Sequence, residues 1–194
     1  MTRANNRPGS SHRDRVVATA IDFVNELAPG SARGHQYEPR SDGEHLASVA
    51  NSTFAAFDDQ PAVFIPSERH EILTLVTDLH RVLLALGESR LNDAVPLINS
   101  MMAKHAFAPH LSAEEPFSLH YQDHTLPAPA AWTTGIAASI GSFVSSGAWE
   151  YIGVCEASQC DRVFLDDTRN QSRRFCTTRC QNRVKVRAFR SRMR

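Results

Sequence analysis

CEASQCDRVFLDDTRNQSRRFCTTRCQNRVKVR, residues 155–187, contains all four cysteines of the 194-residue chain. They are spaced C-x4-C, then fifteen residues, then C-x3-C. A tetrahedral zinc site needs two close pairs brought together by the fold, with each thiolate about 2.3 Å from the ion. Cys155, Cys160, Cys176 and Cys180 are therefore the candidate ligands of one zinc ion per chain. Two disulfides or four free thiols are the alternatives. An iron–sulfur cluster also takes four cysteines, but at other usual spacings. Between the pairs, Val163-Phe164-Leu165 reads as the first strand of a hairpin, Asp167 to Ser172 as its turn, and Arg174-Phe175 as the return to the second pair. From Thr177 to about Arg192 there is no Gly or Pro, so a helix should follow, with the second pair in its first turn. Knuckle, hairpin and helix in that order make a treble-clef-like zinc finger.

Charge sets this segment apart. Residues 1–154 carry a net −7 and residues 155–194 a net +7, with no acid after Asp167. Arg179, Arg183, Arg187, Arg190 and Arg194 recur at steps of three or four and share one helix face. Arg179, Arg183, Arg187 and Arg190, with Arg173, Arg174 and Lys185, form the candidate nucleic-acid contact set. A solvated basic helix, or one docked on the acidic body, is the plainer reading. Cys180, Val184, Ala188 and Phe189 are expected to pack on the hairpin. Asn182 is expected to support a cysteine ligand from behind, as a hydrogen-bond donor to sulfur or a cap on the turn, with base or phosphate contact as the alternative.

Upstream, helical periodicity predicts five helices. The first runs from Arg13 to Ala28, stopped by Pro29-Gly30. The second is opened by a Ser41/Glu44 capping box and lined by Leu46, Val49, Ala50, Phe54 and Phe57. The third is capped by Ser67, carries Ile72 to Leu86 and is closed by Gly87. The fourth covers Asp93 to Lys104 with Pro96 in its first turn. The fifth covers Ala130 to Ser145 with Trp132, Ile136, Ile140, Phe143 and Val144 inward. Residues 30–40 read as a loop, and Asp58-Asp59 and Glu114-Glu115 as solvated loops. Phe117, Leu119 and Tyr121 alternate with polar residues as a short strand, paired with residues near His110. The expected fold is mainly α with a small β-hairpin. Residues 1–12 form a disordered N-terminus, 13–147 a helical domain and 148–194 the finger, with Gly147 at the boundary.

Residues 155 to 187 resemble the CGNR-type zinc finger of bacterial transcription regulators. The resemblance is carried by Cys155, Cys160, Phe164-Leu165-Asp166, Thr168-Arg169-Asn170, Ser172-Arg173-Arg174, Phe175-Cys176 and Cys180-Gln181-Asn182-Arg183, with Lys185 and Arg187 beyond. Gln181 stands where the family's name implies Gly. Ile21-Asp22-Phe23-Val24-Asn25 resembles the ABATE domain that accompanies this finger. The resemblance implies a stress-related transcription regulator whose N-terminal domain senses an effector.

Other chemistry finds little footing. His70-Glu71 opens like H-E-x-x-H, but residue 74 is Thr. The pairs His120/His124 and His105/His110 have no third ligand in sequence. There is no G-x-S-x-G, P-loop or G-x-G-x-x-G. An enzyme is not expected. Asp22 and Asn25 border an apolar helix face, where they line a ligand pocket or cap a neighbouring loop. No secretory leader or membrane span is read, and the chain is expected in the cytoplasm. The expected partners are DNA, a small-molecule effector and, for specificity beyond one small module, a second copy of the chain as a homodimer. A non-enzymatic zinc module for protein or RNA interaction is the alternative.

Overall fold

The computed structural model describes residues 8–9, 11–57, 63–105, 109–111, 113, 117, 119–123 and 125–193. Asp58-Asp59, Glu114-Glu115, His124, Arg194 and most of the 1–12 segment lie outside the described residues. Five helices build the body: α1 (His12–Leu27), α2 (Gly43–Phe54), α3 (Arg69–Gly87), α4 (Leu91–Ala103) and α5 (Ala128–Ser145). Among the described residues three two-stranded antiparallel hairpins accompany them, followed by α6 (Thr178–Arg192). No helix among the described residues is long and apolar enough to cross a membrane.

The core forms where α5 packs against α1 and α4, and α3 against α4 and α1. Helix α5 is apolar almost all round and buried on nearly every side, as a central helix must be. Trp132 on α5 stacks on Phe54 at 4.2 Å, and Phe23 meets Phe54 at 5.0 Å, so three helices share one aromatic cluster. Offset aromatic pairs of this kind add to the area they bury.

Several local expectations change in detail. Helix α1 begins on Ser11, whose hydroxyl accepts from the Asp14 N–H. It stops where Pro29 forces Ala28 to extended backbone. Helix α2 is capped by Asp42, which accepts from the His45 N–H at 3.0 Å, and not by Ser41. Ser67 does not cap α3 either. It lies inside a 3-10 turn, Pro66–Glu68, where the Glu68 carboxylate accepts from the Ile65 N–H.

Gly87 is the last residue of α3 and not its left-handed cap. Ser89 takes the left-handed conformation (φ 59°), with the Arg90 N–H bonded to the Ala85 carbonyl and the Ser89 N–H to Leu86. Gly87 is small for another reason: a Cβ there would lie 2.9 Å from the Val154 side chain. Helix α4 starts two residues early, so Pro96 sits in its second turn, opposite the Asn92 carbonyl.

The expected loop at 30–40 is a hairpin, β1 (Gly30–Ala32) with β2 (His35–Tyr37). Its two-residue turn needs positive φ at both positions and is made by Arg33 (55°) and Gly34 (96°). The expected strand near residue 119 pairs as predicted: β3 (His110–Leu111) and β4 (Leu119–His120) register His110 against His120.

The third hairpin, β5 (Ile152–Val154) and β6 (Val163–Leu165), joins the last 40 residues to the body. Ile152 and Val163 belong to the same buried cluster as the helices, and the strands pack on α3 and α1. Asn25 on α1 completes the join by imitating a neighbouring strand. Its amide donates to the Val163 carbonyl at 2.8 Å, and its oxygen accepts from the Val163 N–H at 3.1 Å.

Asn25→Ala leaves both groups of a 1 % exposed residue unpaired. The expected cost is about 2–4 kcal/mol. Urea unfolding followed by circular dichroism should show a lower midpoint with an unchanged slope. An unchanged midpoint would mean that water replaces the amide at no cost.

Candidate metal centre and its basic helix

Strands β5 and β6 flank the first cysteine pair, so the C-x4-C segment is itself the hairpin's connection. This corrects the expected placement of the hairpin between the two pairs. Cys155 follows β5 directly, and its N–H donates to the Arg162 carbonyl. Gln159, in the left-handed region (φ 53°), turns the chain back to Cys160. Residues 166–175 form no strand; they are a loop organised by Asp166. The buried Asp166 carboxylate accepts from the N–H groups of Thr168 and Arg173, both at 2.8 Å. An Asp two residues before a Thr is an Asx-turn signal that the sequence reading passed over.

Cys176 precedes helix α6, Thr177 caps it by accepting from the Cys180 N–H, and Cys180 lies in the first turn. The four sulfurs converge. Cys160 and Cys176 are 3.7 Å apart, Cys176 and Cys180 3.8 Å, and Cys180 and Cys160 3.8 Å. All four lie within 4.8 Å of one another. A regular tetrahedron with bonds of about 2.3 Å has edges of about 3.8 Å, so the sulfurs are spaced for one zinc ion. They are nearly twice too far apart for disulfides, and all four are free thiols. Among the described residues no other cluster of His, Cys, Asp or Glu is placed to hold a metal.

Desolvation pushes the thiols of Cys155 and Cys176 upward, and neighbouring cysteines raise Cys176 further. At Cys180 desolvation also raises the thiol, but hydrogen bonds from Thr177 and the other cysteines outweigh it and bring it down.

The structure divides the basic residues into two groups. Arg173 is half-buried, and its guanidinium donates to the carbonyls of Phe175, Leu165 and Cys176 at 3.1, 3.0 and 2.6 Å. It staples β6 to the second cysteine pair. Arg174 pairs with Glu156 across the knuckle. Arg183 donates to the Ser158 carbonyl at 2.6 Å, and Arg187 to the Ser158 hydroxyl at 3.1 Å. These four cations thus hold the finger together. Arg179, Lys185, Arg190 and Arg192 are exposed and have no partner among the described residues.

Other placements differ from the expectations. Ala188 and Phe189 do not pack on the hairpin. From Lys185 onward every described residue of α6 is exposed, with Phe189 at 64 %. Of α6, Val184 joins the cysteines, Ala157 and Phe175 in a small apolar cluster. Asn182 is exposed, its side chain makes no hydrogen bond among the described residues, and it sits about 160° around the helix from Cys180. It is not behind a metal ligand.

The β1–β2 hairpin straps the knuckle to the body. The Asp161 N–H donates to the Ser31 carbonyl, the Ser31 N–H to the Asp161 carboxylate at 2.7 Å, and the Gly34 N–H to the Gln159 carbonyl. Arg162 is buried, donates to the Ala28 carbonyl and lies over the Tyr37 ring at 4.6 Å. Arg183 crosses the turn so closely that a Cβ on Gly34 would meet it at 2.5 Å. A cleft of about 910 Å³ opens between α1, this hairpin and the finger, with Asp22 and Asn25 on one wall. Asn25 is occupied by Val163. Desolvation raises the Asp22 carboxyl above its ordinary range, against the pull of Arg173.

Purified protein should contain one zinc per chain by elemental analysis, and Cys176→Ser should lose it. Thiols held high in the metal-free site are protonated near neutral pH, so zinc must displace those protons. Affinity should therefore fall as pH falls, which a chelator competition at pH 8 and pH 6 would measure. Equal affinity at both values would exclude thiolate ligation.

No curated protein matches this chain. Residues 151–193 match the family model described as the CGNR zinc finger, which agrees with the geometry of four cysteines set around one zinc ion.

Proposed function

We propose that this chain is a zinc-dependent DNA-binding transcription regulator whose helical part, residues 13–147, is an ABATE-like domain that senses a small-molecule effector without turning it over. One observation carries the reading. Arg179, Lys185, Arg190 and Arg192 stand unpartnered among the described residues, on a helix fixed at its start by Cys176 and Cys180, in a segment with no acid after Asp167. A rigid helix with free cations is suited to phosphates. The cleft beside Asp22 supports an effector site, because the finger forms one of its walls. Such a regulator would work in the cytoplasm, and a homodimer would double its small footprint.

Phe189 favours a second reading. Phe164 is buried and Phe175 half-buried, but Phe189 is exposed, so the finger does offer one aromatic face to an unstacked RNA base or a protein partner.

Anisotropy of a labelled 20-bp random-sequence duplex over a salt series tests the proposal. Four phosphate contacts should give a log–log slope of roughly −3 to −4. Replacing Arg179, Lys185, Arg190 and Arg192 together by Gln should bring the slope close to zero with zinc retained. Arg183→Ala and Arg187→Ala should change it little, because those side chains are engaged with Ser158. No duplex binding, or a preference for single-stranded RNA, would overturn the DNA reading.

A further inference from the structure

The outer side of α6 carries more than charge. Asn182, Val186, Phe189 and Met193 follow one another at steps of four, three and four and so lie along one line of the helix. That line is turned about 160° from Cys180, away from the metal and the body. Val186 is 48 % exposed, Phe189 64 % and Met193 75 %. The free cations flank this crest evenly: Arg179 and Arg190 about 60–80° to one side, Lys185 and Arg192 about 60–80° to the other.

This arrangement tells possible occupants apart. A second copy of the same helix would set four cations against four, so the face is ill-suited to pairing with itself. An anionic membrane would ask for a broad apolar face, whereas this crest is one residue wide. The major groove of duplex DNA, about 12 Å across, admits a helix of 10–12 Å diameter and is bordered by phosphates on both sides. Its floor presents thymine methyls for apolar contact and adenine edges for a side-chain amide.

We propose that the outer face of α6 enters the major groove, where Asn182 reads adenine and Val186 and Phe189 cover thymine methyl groups. This rests on the DNA reading above and adds a base preference to it. The exposed stretch from Lys185 to Arg192 spans about 12 Å, enough for three or four base pairs. The proposal gives Asn182 the base contact that the sequence leaves open beside a ligand-supporting role.

The test is selection from a random 20-bp duplex pool at about 0.15 M salt with wild type, Asn182→Ala and Phe189→Ala. The selected pool is then recopied with dUTP in place of dTTP, which removes only the methyl. All three proteins should hold one zinc and the same helix content, since both positions are exposed. Wild type should enrich A·T pairs and bind the uracil pool about three- to five-fold more weakly. Asn182→Ala should lose the adenine preference at one position, and Phe189→Ala should narrow the difference between the two pools to the share that Val186 keeps. Salt-dependent binding by wild type without A·T enrichment, or with equal affinity for both pools, would overturn the inference and leave the DNA reading standing. Binding to phosphatidylglycerol vesicles with none to duplex DNA would overturn both.

Discussion

Four sulfurs around one point decide where α6 goes. The helix has almost no apolar interface of its own: beyond Cys180, only Val184 is drawn in against Phe175. A solvated helix of 15 residues is marginal by itself in water. Its direction is therefore set by the bonds that Cys176 and Cys180 make with the ion shared by Cys155 and Cys160, and by the Thr177 cap. The arginine contacts to Ser158 steady the helix against the knuckle, but they are exposed and individually weak. Free cations on a rigid helix are useful only if that anchor holds, so the metal stands beneath every proposed contact with DNA.

What the sequence disclosed, and what it hid, follows from the range of the forces involved. The cysteine spacing, the five body helices and the β3–β4 pairing are local patterns, and all were legible. The β1–β2 hairpin was not. Its strands are three residues long, with no apolar alternation, and its turn is Arg33-Gly34, where Asn-Gly is the usual signal. The position of the β5–β6 hairpin was misread for a related reason. Val163 to Leu165 is a clear strand, but its partner, Ile152–Val154, lies before the first cysteine and is no more apolar than a helix end. Asn25 showed why a polar residue on an apolar face is ambiguous: its partner is 138 residues away.

Among the arginines the limit was different. Spacing placed Arg183 and Arg187 on a common stripe, but spacing alone does not say which side of the helix faces the protein. Ser158, the residue that engages both, carried no signal in sequence. Once Cys180 fixes the inner side, Arg183 and Arg187 prove to lie toward the protein, while Arg179 and Arg190 of the same stripe, and Lys185 and Arg192 on the far side of the crest, face outward. The metal centre itself was legible in full, because ligand chemistry and spacing together leave few alternatives.

The inner side of the β5–β6 hairpin is shared property. Ile152 and Val163 are covered by helices, and Asn25 seals the strand edge. The hairpin beyond Gly147 is thus packed as part of the body. Cutting the chain there would leave a fragment with a complete ligand set and an uncovered sheet. This finger is not a portable bead that evolution or an engineer can move onto another protein unchanged. Wherever α6 is carried, the α1 surface that supports its hairpin must be carried as well, and any drift in the body's packing will re-aim the helix.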